Sequence, residues 1–218
     1  MRGTKNCTLR CDTMINQANI EPITDKVKIA SALSLMETFT DGPYHLKLSF
    51  IRSKNWAVVP VESGSHFIPE DAKLLSQALH AIKCFTCLAV ATEPLNDDIC
   101  YRISTSKEGL FEFGKKLGFL NFALFSEDVS FIVLCTVGDY YLIAGPADFV
   151  TEATRKSIQA ARGEFFEFAD KGWKNNKVRE FLLSVDKRYE PFDGEKVMKS
   201  DKAVSGFSSG LRKTAISY

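Results

Sequence analysis

The chain has 218 residues, 45% hydrophobic and 25% charged, the balance of an ordinary packed globule, which argues against a wholly disordered chain. Lys and Arg number 28 against 27 Asp and Glu, a net charge of +1, so no global field draws nucleic acid or an acidic membrane. The 17 Phe residues beside 2 Trp and 6 Tyr imply a core rich in side chains that carry no polar handle.

Residues 1–23 are polar and aperiodic and read as a loosely held N-terminal arm. Thr24 can cap a helix with Asp25 in its first turn. Ile29, Leu33, Met36 and Phe39 then recur at helical spacing until Asp41-Gly42-Pro43 stops them. His45 to Phe50 alternates, Ser53-Lys54-Asn55 can turn, and Trp56 to Val61 is apolar, so a hairpin is predicted, with Pro60 suited to an edge. Pro69-Glu70-Asp71 opens a second helix whose stripe is Leu75, Ala78, Leu79, Ile82 and Phe85. A short strand through 88–91, a turn at 94–98 and a strand over 99–104 follow. Thr105-Ser106-Lys107-Glu108 has the form of a capping box, predicting a helix that carries Leu110, Phe113 and Leu117 inward.

The runs 119–125 and 129–136 read as strands, and Val137-Gly138-Asp139 joins the second to 140–144 as a hairpin. Gly145-Pro146-Ala147-Asp148 opens what reads as the longest helix, with the stripe Val150, Ala153, Ile158, Ala161, Phe165, Phe168 and a stop at Gly172. A last amphipathic helix presents Val178, Phe181, Leu182 and Val185. Residues 191–218 are rich in Gly, Ser and Lys and read as a flexible polar tail. The predicted fold is α+β, a mainly antiparallel sheet built from hairpins with helices packed on it, in one globular domain over 24–190. An offset of 82 residues aligns Phe67-Ile68 with Phe149-Val150 and Glu70 with Glu152, a weak sign of two hairpin–helix halves.

Few motifs carry chemistry. Cys84-Phe85-Thr86-Cys87 has redox spacing but falls near a predicted helix C-terminus, where the dipole opposes a thiolate, so the pair reads as core. Cys7 and Cys11 with Cys84 and Cys87 could make a four-thiolate zinc site, and whether they converge is open. Gly206 to Gly210 matches a nucleophile elbow without the preceding strand or the following Asp and His. Ser104-Thr105-Ser106-Lys107 matches a Ser–Lys nucleophile pattern that helix capping explains equally. Of His45, His66 and His80, His66 stands out, in a Gly/Ser loop suited to acid–base residues, although an exposed loop histidine without a chemical role is the favoured reading. Basic residues gather at Arg155-Lys156, over 171–179 and in the tail, as on solvated helix faces.

No catalytic, cofactor-binding or metal-ligating residue is assigned, and no cofactor is expected. The first fourteen residues hold no apolar run of leader length. The most apolar stretch, 84–91, falls far short of the about 20 residues a membrane span needs. A soluble, cytoplasmic protein with free thiols is therefore expected. The favoured function is a non-catalytic module that binds another protein, by strand addition at a sheet edge or through the tail. The alternatives are an enzyme or small-ligand protein with a site near the 62–66 loop and the 145–148 turn, and a weak nucleic-acid-binding accessory protein.

Overall fold

The computed structural model describes residues 19–63, 67–93, 99–171 and 175–190. The expectations for residues 1–18, His66, the 94–98 turn, Gly172 and the 191–218 tail lie outside these residues. So do Cys7 and Cys11.

The strands are β1 (Ile20–Pro22), β2 (Ala57–Glu62), β3 (Thr86–Ala91), β4 (Cys100–Ser104), β5 (Phe122–Phe125), β6 (Ile132–Cys135) and β7 (Tyr140–Gly145). They form one sheet in the order β1-β4-β3-β5-β6-β7-β2, and every neighbouring pair is antiparallel. The predicted α+β class with an antiparallel sheet is correct. Each residue of β5, β6 and β7 is buried. Successive side chains point to opposite faces, so these continuous apolar runs demand cover on both sides, whereas many antiparallel sheets leave one face to water.

Helices supply that cover. On one face α3 (Pro69–Ala81), α4 (Lys107–Leu117) and α5 (Ala147–Thr154) pack against Val59, Val133 and Ile143. On the other, α1 (Lys26–Phe39), α2 (Leu48–Lys54) and α7 (Asn176–Arg188) pack against Val58, Leu134 and Leu142. The last helix, α6 (Ile158–Lys171), belongs to both sides. Its Ala161 joins the first cluster while Phe165 and Ala169 join the second, and β2 is the strand it packs on. It therefore lies along the β2 edge of the sheet and closes it. At the opposite edge β1 is three residues long, and Pro22 has no N–H to offer.

The end of the expected N-terminal arm is not loose, because Ile20–Pro22 pair with β4 as β1, and four further local expectations need correction. The 45–61 hairpin does not form. Leu46 makes only an isolated bridge with Thr40. From Leu48 the chain winds into α2, which buries Ile51 three residues on and ends at Asn55 with φ 52°, a left-handed position that Asn tolerates. β2 pairs instead with β7, from Ala57↔Gly145 to Glu62↔Tyr140, and Pro60 sits on the edge strand as expected. The helix from 147 is also two helices. Arg155 adopts φ 54°, and Ser157 Oγ accepts from the Ala160 N–H at 3.2 Å to begin α6.

The second helix ends at Ala81, and Lys83 at φ 59° turns the chain into β3, which leaves Phe85 61% exposed rather than on the apolar stripe. Finally, two caps sit one residue later than read. Asp25 accepts from the Val27 N–H at 2.9 Å, and Ser106 accepts from the Gly109 N–H at 3.1 Å. Leu110 and Phe113 of α4 and Leu182 and Val185 of α7 are buried as the periodicity predicts. Among the described residues no helix is long and apolar enough to cross a membrane.

Candidate functional site

The break between α5 and α6 opens a cavity of about 370 Å³ between the end of β2, the start of α3 and the flank of α6. Its volume lies at the small end of the usual range for ligand pockets, about 300–1,000 Å³. Each wall has a local cause. β2 contributes Val61 and Glu62 as its last residues. α3 begins with Pro69 at its first position, so Glu70 and Asp71 occupy its first turn, where the helix dipole favours acids. Leu74, one turn further, and Ala161 and Phe165 of α6 are apolar parts of the lining.

Arg155 and Lys156 reach the rim because the left-handed Arg155 redirects the chain. Thr154 Oγ1 stabilises the bend by donating to the Val150 carbonyl at 2.9 Å and facing the Lys156 carbonyl at 3.2 Å.

Inside the cavity the Tyr141 hydroxyl neighbours the Asp71 carboxylate, and it and the Ile68 backbone both favour the charged acid. Tyr141 is only 3% exposed. Burial lifts Asp71 above its ordinary value, against the opposing pull of those two neighbours. Burial also lifts Tyr141 well above a free phenol, and the neighbouring Asp71 charge adds to it. The rim charges are largely matched. Arg155 meets Glu152 at 2.8 Å and Gln77 at 3.1 Å, Lys156 meets Glu164, and Lys73 meets Glu70 at 3.2 Å. Among the described residues Glu62 and Asp71 form no ion pair.

The residues singled out from sequence fare unequally. The cavity adjoins the 62–66 loop through Glu62, but the 145–148 turn is not part of it. Gly145 lies four residues along β7 from Tyr141, about 13 Å away at the rise of a strand. Ser104 and Ser106 are engaged with each other at 3.0 Å at the head of α4. The Thr105 hydroxyl donates to the Cys84 carbonyl at 2.7 Å.

Cys87 is buried in β3 and Cys84 is half-buried in the turn before it, not on α3. Burial raises both thiols, Cys87 far more. Among the described residues no group of His, Cys, Asp and Glu could hold a metal ion. His45 lies beside Phe181, its pKa lowered by burial and by Arg188, and His80 lies beside Phe85.

Tyr141 and the role of Arg155 escape sequence reading, although one signal was present. Ala153 and Ile158 are five residues apart, a step that no helical face sustains. Comparison with family models, curated proteins and solved structures finds no match to this chain.

Proposed function

We propose that this protein is a non-catalytic binding module whose ligand is another protein, held at the cavity between β2, α3 and α6. The observation that supports this reading is the make-up of the cavity. Apolar Val61, Leu74, Ala161 and Phe165 line it together with charged Glu62, Asp71, Arg155 and Lys156, a mixture suited to receiving an anchoring side chain of another protein. Ile68 stands half-exposed on the same rim and extends the apolar contact outward. Strand addition is the weaker mode, because α6 lies along the β2 edge and β1 is short. A cytoplasmic location fits the free thiols Cys84, Cys87, Cys100 and Cys135.

A second reading, a small-ligand protein or enzyme using the same cavity, is favoured by the paired acids Asp71 and Tyr141, since groups of perturbed pKa gather at reactive sites. A photo-crosslinking residue at position 68 separates the two. Covalent capture of a protein from native extract at position 68, and not at the remote position 107, is the expected result. A small molecule retained in native mass spectrometry, with no protein adduct, would replace the first reading with the second.

A further inference from the structure

The C-terminal end of α7 grips the turn between α1 and α2. The Tyr189 hydroxyl accepts from the Leu46 N–H at 2.7 Å and faces the Leu46 carbonyl at 3.3 Å. Arg188 pairs with Asp41 at 2.6 Å, and Phe181 meets Tyr44 edge to face with ring centres 6.1 Å apart. The turn itself is closed by the Asp41 N–H, which donates to the His45 carbonyl at 2.8 Å. From the sheet, the Tyr140 hydroxyl of β7 donates to the Tyr44 carbonyl at 3.1 Å. His45 sits inside this grip. Its ring lies 6.4 Å from Phe181, and its Nδ1 is buried without a hydrogen-bond partner.

We infer that the contact is an acid-opened clasp, which holds while the His45 ring is neutral and loosens when the ring takes a proton. A neutral imidazole protonated at Nε2 has only a lone pair at Nδ1. An imidazolium is a donor at both nitrogens, so protonation strands a buried, charged N–H that faces no acceptor. The new charge also arrives beside Arg188, whose Nε is likewise buried without a partner. Asp41 is the carboxylate of this contact, and Arg188 already engages it. The other ionisable groups around the ring, Tyr44, Tyr140 and Tyr189, are phenols, a class that supplies no negative charge in mild acid.

Burial and the Arg188 charge hold the His45 pKa below its ordinary 6.5, against the pull of Asp41 and the Tyr44 backbone. A released His45 therefore takes its proton more readily than a clasped one. The clasp keeps its full strength above about pH 6.5 and loses it as pH falls toward the lowered value. The effect reaches further than the turn. Arg162 of α6 donates to the Asp186 and Tyr189 carbonyls at this same end of α7, and its neighbours Ala161, Glu164 and Phe165 line the cavity. The clasp thus ties pH to the α6 wall of the cavity, whatever that cavity binds.

The test is NMR-detected amide hydrogen exchange on the full chain at pH 7.5 and 5.0, expressed as protection so that the intrinsic pH dependence of exchange cancels. The Leu46 N–H reports on the clasp directly, because its acceptor lies across the contact. Its protection should fall at least about threefold in the parent at the lower pH. In His45→Gln, whose side chain cannot charge, it should stay level. Equal falls in the two proteins, or an unprotected Leu46 amide in the parent at pH 7.5, would overturn the inference. The parent's own His45 titration, followed by its ring resonances, needs no variant. A midpoint below 6.5 is expected, and one at or above 6.5 would mean that acid leaves the clasp unchanged or tightens it, which the inference forbids.

Discussion

Phe165→Ala tests how α6 is held along the sheet edge. Phe165 is 2% exposed. Its ring lies 6.0 Å from Tyr140 in an edge-to-face arrangement and 5.8 Å from Phe168. Truncating a fully buried Phe costs about 3–5 kcal/mol through lost transfer energy and the cavity left behind, and the aromatic contacts place this site in the upper half of that range. At this chain length each kcal/mol moves the thermal midpoint by about 2–4 °C, so a drop of roughly 8–20 °C is expected.

Urea unfolding should show a lower midpoint with an unchanged slope. The neighbouring Phe166 is 50% exposed, and Phe166→Ala should stay within about 0.5 kcal/mol of the parent. A loss below about 1 kcal/mol at Phe165, or equal losses at the two positions, would refute the packing of α6 across the β2 edge.

Arg162 of α6 is buried with Asp186 of α7 at 3.1 Å and also donates to the Asp186 and Tyr189 carbonyls. Arg162→Met should cost about 3–5 kcal/mol in urea unfolding by stranding the Asp186 charge, and adding Asp186→Asn should recover much of it. No recovery would show that packing, not charge, is what Arg162 supplies.

Burial raises the thiols of Cys84, Cys87 and Cys135 and lifts Cys100 to about 11. A Cys7→Ser, Cys11→Ser variant should therefore react slowly with a thiol reagent at pH 8 and show four thiols once denatured. One equivalent reacting within mixing time would contradict this.

Asp71 has a folded-state pKa above its ordinary 3.8, so its contribution to stability falls as pH rises from that value through the raised one. Asp71→Asn should gain on the parent as pH climbs from 4 to 8, read from urea midpoints. A parent that gains on the variant would reverse the sign of the argument.

What the sequence made legible was whatever a run of residues settles locally. The all-apolar strands at 122–125 and 132–135 could hardly lie anywhere but inside, and both are buried throughout. Pro69 with Glu70 and Asp71 marked a helix start to the residue. The failures came where local patterns were ambiguous and distant contacts decided. His45 to Phe50 satisfies a two-residue period over only six positions. Leu48 and Ile51, both meeting the α1 side of the sheet, satisfy a helical one, and tertiary packing chose the second. β2 then had no local partner and paired with a strand 78 to 88 residues away, from Glu62↔Tyr140 to Ala57↔Gly145, which no hairpin signal could reveal.

The candidate site was least legible because it exists only through such long-range pairing. Glu62 and Asp71 were visible as a loop-side acid and a helix-start acid, each with a sufficient local explanation. Their approach requires β2 to lie beside β7, which sets Glu62 opposite Tyr140 and so brings the α3 start to the Tyr141 hydroxyl. The cavity further requires α5 to end at Thr154. Had the helix continued through Arg155, as the apolar stripe suggested, α6 would follow the direction of α5 across one face of the sheet. The left-handed residue turns it along the edge instead. That single bend closes the β2 edge against strand addition and leaves the gap that Asp71 and Glu62 help to line. Edge protection and the cavity thus share one structural cause.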